Sequence, residues 1–152
     1  MQIVDIDFCV PGDVKSLVAI EAACFDIPWE ERLIEYDLNE PGSSVYLKAS
    51  IKDAIAGYGV LGRADDASHL MNLAVLPEFR RQGVALQLMA AFDAISGEWE
   101  CGRMCLEVRS SNGAARNFYS SIGFVYSTRV KSYYSDGEDA LVLIARLPLR
   151  LA

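Results

Sequence analysis

The stretch LMNLAVLPEFRRQGVALQLM, residues 70–89, decides how this chain folds. Its first part, LMNLAVL (70–76), is an apolar run of strand length that Pro77 ends. Its last part begins an apolar-periodic run that predicts a helix over roughly 83–96. Ala85, Leu88, Met89, Phe92 and Ile95 share one helix face, and Val84, Leu86 and Ala91 lie off it. That pattern predicts a helix buried on more than one side. A strand feeding a helix through so short a turn leaves the first helical N–H groups without intrahelical acceptors, beside the positive end of the helix dipole. Such a place binds anions. Gly83, a poor helix residue, stands there with no Cβ to keep a phosphate from the backbone, and Ala85 is nearly as small. Arg80 and Arg81 supply charge suited to a polyphosphate. Taken alone, the same residues also describe a charged helix start with a tolerated glycine.

Outward from this core the pattern stays regular. VDIDFCV (4–10) alternates as an opening strand, and PGD punctuates it. Asp13 is an N-cap residue type ahead of a helix through VKSLVAIEAACF. DIPWEE breaks that helix, and ERLIEYDL (31–38) predicts a shorter acidic one before NEPGSS turns the chain. VYLKASI and AIAGYGVLG read as strands joined at Lys52 and Asp53, and ADDASH as a loop. GEWECG turns into the strand RMCLEV. SSNGAARNFYSSIG opens with capping residues and closes on Gly123, as a short helix should. FVYSTRVKSYY and DALVLIARL form a final hairpin around SDGE. The order predicts one α/β domain over residues 1–152, with a mixed central sheet of about six or seven strands flanked by helices.

The 152 residues can bury a core without staples. No apolar run reaches membrane-span length, and MQIVDIDFCV lacks the regions of a signal peptide, so the expected address is the cytoplasm. Cys9, Cys24, Cys101 and Cys105 form no C-x-x-C pair and His69 is the only histidine, so no metal site is expected. The net charge of −7 is uneven: residues 1–60 hold eleven acids and four bases, and residues 61–152 hold ten of each. Nucleic acid, which needs clustered basic charge, is excluded as a direct partner. The acidic first part suits a basic or amine-bearing ligand, or serves only as a solvated face.

NLAVLPEFRRQGVA resembles the acetyl-coenzyme A signature of the GCN5-related N-acetyltransferase (GNAT) family, a strand followed by Q/R-x-x-G-x-G/A at a helix start. CLEVRSSNGAARNFYSSIGF (105–124) resembles a longer segment of one subfamily, the RimI-like protein N-terminal acetyltransferases. SYYSDGEDALVL and, more loosely, FDIPWEE are similar to that subfamily as well. The resemblance implies a GNAT-type α/β domain that takes acetyl-CoA as cosubstrate, needs no metal, and acetylates the α-amino group of a protein N-terminus, for instance that of a ribosomal protein. It implies that the backbone of Arg81, Gln82, Gly83, Val84, Ala85 and Leu86 cradles the pyrophosphate, and that Leu73, Ala74 and Val75 lie along the pantetheine arm and acetyl group. Asn112 would bond the pantetheine amides, and as a residue it is also a helix cap. Trp29 and Tyr36 would shape one wall of the peptide site, with Tyr133 or Tyr134 from the closing hairpin on the other. Glu30 stands where the family has a small hydroxyl residue, and Asp26 and Ile27 interrupt its direct F-P step.

Acyl transfer to an amine needs a base for the nucleophile and an acid for the leaving thiolate. Glu107, near the end of a predicted strand, can face a cleft and take the proton, or can be a solvated acid paired with Arg109. Tyr119 on the next helix can protonate the departing sulfur, or simply pack on the sheet. The subfamily's base and acid fall on these two positions. The alternatives are an acetyltransferase for lysine or a small amine, and a coenzyme A-binding regulatory module without turnover.

Overall fold

The computed structural model describes residues 1–40, 42 and 44–151. Its elements follow the expected order: β1 Asp5–Phe8, α1 Val14–Cys24, α2 Glu31–Asn39, β2 Val45–Ile51, β3 Ala54–Ala64, β4 Ala67–Val75, α3 Val84–Glu98, β5 Arg103–Arg109, α4 Gly113–Ser121, β6 Val125–Val130 and β7 Ala140–Arg146. Part of the turn expected in NEPGSS, at Pro41 and Ser43, lies outside the described residues. The strands form a seven-stranded mixed sheet in the order β1-β2-β3-β4-β5-β7-β6. The pair β4/β5 is parallel, and β1/β2, β2/β3, β5/β7 and β6/β7 are antiparallel. Contacts group the chain into two compact units, Met1–Gly62 with Asn72–Phe92, and Arg63–Met71 with Asp93–Ala152.

The first unit packs Leu17, Ile20, Ile34, Tyr46, Tyr58, Val60 and Ala74 into one cluster. Leu17, Ile20 and Glu21 recur at helical spacing, so α1 buries one stripe, and a carboxylate goes in with it. Asp13 sits at the N-cap of α1 but does not cap it with its side chain. Its Oδ2 accepts instead from the Val10 N–H and from Lys48 Nζ, both at 2.8 Å, because a cation and an earlier orphan N–H compete for the same oxygen. Gly59 is required by packing: a Cβ there would come within 2.7 Å of the Phe92 ring.

The second unit is built on β5, α4, β6 and β7, with Met104, Leu106, Phe124, Leu141 and Leu143 in its core. Ser68 and Ser96 are buried and satisfy one another at 2.8 Å. Two expectations change here. ADDASH is not a loop, because β3 and β4 run on to leave only Asp65 and Asp66 between them. Asp65 adopts φ 55°, the left-handed conformation that Asp tolerates and that tight hairpins need. The buried stripe of α3 is Val84, Leu88, Met89, Phe92 and Ser96, while Ala85 and Ile95 are only half-buried.

Candidate active site

After β4 the chain makes a single helical turn at Pro77–Phe79 and then enters α3 through Arg80–Gly83. Arg81 and Gly83 both take left-handed backbone, at φ 61° and 84°. At Gly83 a side chain would be strained whatever the space, which explains a glycine where helix propensity argues against one. Among the described residues, the backbone N–H groups of residues 81–86 meet no protein acceptor. They make an open row of donors at the positive end of α3. Arg81 is exposed beside that row. Arg80 Nε donates to the Val75 carbonyl at 2.9 Å, which braces the turn. The Met1 side chain lies against Gly83, the Gln2 N–H donates to the Gln82 carbonyl at 2.9 Å, and Gln87 ties down residues 2–4 with bonds to the Gln2 carbonyl and the Val4 N–H.

In β4, Ala74 faces the core while Leu73 and Val75 are half-buried. The Val75 carbonyl is engaged by Arg80 and by the Cys24 thiol. Just before them, the Asn72 amide donates to the buried Glu21 carboxylate at 2.9 Å. The other Glu21 oxygen accepts the Trp29 N–H at 2.8 Å, which fixes the turn between α1 and α2. Trp29 packs partly on the core cluster. Together with Pro28, Arg32, Leu33 and the exposed Tyr36 it lines an open hollow.

In the second unit, β5 alternates strictly. Met104, Leu106 and Val108 are buried, and Cys105, Glu107 and Arg109 occupy the opposite, half-exposed face. That pleat presents the Glu107 carboxylate away from the core. Its Oε1 lies 2.7 Å from His69 Nε2 and 3.5 Å from the Tyr133 hydroxyl. Sequence reasoning missed His69. The parallel register sets His69 beside Cys105, and so next to Glu107 on the same face. The available signal was a polar ring on the half-buried face of a strand. The hydrogen bond to Glu107 raises His69 above its ordinary 6.5, against the opposing effect of burial. Burial likewise raises the Tyr133 phenol, and the Glu107 charge adds to it.

Asn112 starts α4, its Oδ1 accepting the Ala115 N–H at 3.1 Å. The cap uses the amide oxygen and leaves the NH2 group to donate elsewhere. Tyr119 is buried on α4, with its ring edge-on to Phe118 and Phe124 at 5.3 and 5.5 Å. Burial, then the neighbouring Tyr134, push its phenol well above the usual range, so it keeps its proton at any physiological pH. Tyr133 and Tyr134 meet edge-to-face at 5.0 Å. The structure thus brings Trp29 and Tyr36 together in the first unit, and gathers Glu107, His69 and Tyr133 in the second. No group of three or more metal-ligating side chains occurs among the described residues.

Residues 14–124 match the acetyltransferase (GNAT) family. The chain is 32% identical to a protein of Bacillus subtilis named putative [ribosomal protein bS18]-alanine N-acetyltransferase, over 86% of this chain and 87% of that one. It is 34% identical to the [ribosomal protein bS18]-alanine N-acetyltransferase of Haemophilus ducreyi, over 91% and 97%. Among solved structures, the ribosomal-protein-S18-alanine N-acetyltransferase of Escherichia coli superposes with a TM-score of 0.85 at 26% identity, covering 95% of this chain and 94% of that one. Ard1 from Thermoplasma volcanium gives 0.86 at 26%, covering 94% and 97%. Among the described residues no helix is long and apolar enough to cross a membrane.

Proposed function

Because this chain belongs to the acetyltransferase (GNAT) family and so is an acetyl-CoA-dependent N-acetyltransferase, we propose that its acceptor is the α-amino group of a protein N-terminus, in the first place an alanine-started ribosomal protein. The observation that carries the chemistry is the Glu107 carboxylate, set on the polar face of β5 between His69 and Tyr133. The relatives named for alanine N-acetylation supply the acceptor class. We read both units as one acetyltransferase domain acting in the cytoplasm.

The residues present fit acetyl-CoA. The unpartnered N–H row of residues 81–86 and the left-handed Gly83 suit a pyrophosphate. Leu73, Ala74 and Val75 would lie along the pantetheine arm, with a β4 main-chain N–H toward the thioester carbonyl. Acetyl-CoA supplies the activated acyl group. An α-amino group has a pKa of about 7.7–8.0, so a base must hold its proton at neutral pH. Glu107 takes that proton, directly or through a water, as the amine nitrogen bonds to the acetyl carbon. The C–S bond breaks, and Tyr119, kept protonated by burial, returns a proton to the sulfur. Tyr133 and Tyr134, beside Glu107 in the second unit, contact the peptide. Exposed Asp26, Glu30, Glu31 and Glu35 favour a basic tail.

The test is a set of acceptors at one acetyl-CoA concentration: an alanine-started peptide with an internal lysine, the same peptide blocked at its N-terminus, and a polyamine. Only the first is expected to turn over at a useful rate. Equal or faster acetylation of the blocked peptide or the polyamine overturns the reading.

His69 gives a pH prediction. Its folded pKa is raised, so the pair with Glu107 stabilises fully below about 6.5 and fades as pH rises through the raised value. Loss of the imidazolium charge frees the carboxylate to accept a proton, so kcat/KM is expected to rise through that window. In His69→Gln this limb should vanish, leaving only the limb of the substrate amine. Identical pH profiles for the two proteins would contradict the pairing's role.

A further inference from the structure

We infer that Arg109 is a specificity-determining positioning residue: it latches the β6–β7 loop beside Glu107 and thereby sets the affinity for the peptide acceptor, independently of acetyl-CoA. The inference rests on the reading above that Tyr133 and Tyr134 contact the peptide. Arg109 shares the polar face of β5 with Glu107, one pleat repeat further on. Its Nη1 donates to Asp136 Oδ2 and to Glu138 Oε1, each at 2.9 Å. The same guanidinium lies over the Tyr134 ring, 4.1 Å from its centroid.

The loop these groups belong to is otherwise closed on itself. Gly137, at φ 92°, donates to the Tyr134 carbonyl, and the Tyr134 N–H donates to the Glu138 carbonyl. Asp136 Oδ1 accepts the Glu138 N–H at 3.1 Å. Glu138 then ties the loop to the corner between β5 and α4, its Oε2 accepting the Ser111 N–H at 2.9 Å. The base of the loop is held at Asp139, by Arg129 at 2.9 Å and by the Ser110 N–H at 3.1 Å, and Arg109 holds its tip through two carboxylates and an aromatic face at once. A single exposed ion pair contributes little. Three contacts converging on one planar group fix an orientation that a flexible ammonium cannot reproduce. Tyr134 is the transmission: one side faces Arg109, and its edge contact positions Tyr133, whose hydroxyl reaches Glu107. Releasing Arg109 lets both tyrosines drift from the carboxylate.

The experiment is steady-state kinetics of full-length Arg109→Lys, with the alanine-started peptide and acetyl-CoA varied in turn and circular dichroism as the check of folding. The expected result is a rise of about tenfold in the peptide KM, with the acetyl-CoA KM within about twofold of wild type. Tyr134→Ala is expected to raise the peptide KM similarly, and the double variant to cost less than the two effects combined. Should Arg109→Lys fail to fold, Glu138→Gln reads the same latch from its other side, with a smaller rise in the same direction. A peptide KM unchanged in Arg109→Lys, or both KM values rising together, overturns the latch. If Tyr134→Ala raises the peptide KM and Arg109→Lys does not, the latch fails and the acceptor-site reading stands. If Tyr134→Ala has no effect either, the acceptor-site reading fails.

Discussion

Glu107→Gln is expected to lower kcat on a peptide acceptor by roughly 10²–10⁴-fold, the usual worth of one general base. The substitution keeps the shape of the side chain and a carbonyl oxygen to accept from His69 and Tyr133, so the half-exposed site can stay assembled. What it removes is the capacity to take a proton. Acetyl-CoA affinity, read by calorimetry on the same protein, should be unchanged, because the N–H row of residues 81–86 does not involve this side chain. Rapid turnover with normal cofactor binding would show that the proton leaves by another route. Lost binding together with lost turnover would make Glu107 structural.

The second large effect is on stability. Glu21 is 1% exposed, and its carboxylate accepts from the Trp29 N–H at 2.8 Å, the Tyr58 hydroxyl at 2.8 Å and the Asn72 amide at 2.9 Å. One buried charge thus ties α1 to the following turn, to β3 and to β4. Burial, then the Glu21 charge, raise the Tyr58 phenol far above its ordinary range, so the phenol keeps the proton that it donates. Glu21→Ala takes the acceptor from the Tyr58 hydroxyl and the Trp29 N–H, leaves the Asn72 amide only its 3.0 Å bond to the Tyr58 oxygen, and opens a cavity. A loss of about 3–5 kcal/mol follows from the cost of breaking such a network. Urea denaturation measures it, and Glu21→Gln should lose less, since the amide oxygen still accepts. A loss below about 1 kcal/mol for Glu21→Ala would mean that water replaces the carboxylate.

Periodicity made the elements legible. The alternation in RMCLEV sets Glu107 opposite Met104, Leu106 and Val108, and the pleat presents it as expected. The apolar run ended by Pro77 and the glycine at 83 locate the strand–turn–helix, and Gly83 takes the left-handed backbone that such a place demands. Two of the misses share one cause, a partner distant in sequence. His69 and Glu107 are 38 residues apart and meet only through the parallel register of β4 and β5. Asp13 has cap chemistry, but Lys48 is 35 residues away and competes for its oxygen. Glu21 counts toward the acidic first part of the chain, yet it is buried and presents no carboxylate at the surface. ADDASH looked like a loop because its acids are polar, although polar side chains do not prevent the backbone from pairing up to a tight turn.

Comparison of protein N-termini by mass spectrometry, in source cells with and without this chain, tests the central claim most directly. The account predicts that an alanine-started ribosomal protein loses its α-N-acetyl group when the chain is absent and regains it with wild type but not with Glu107→Gln. Unchanged N-termini, with acetylation lost from lysines or small amines instead, would contradict it.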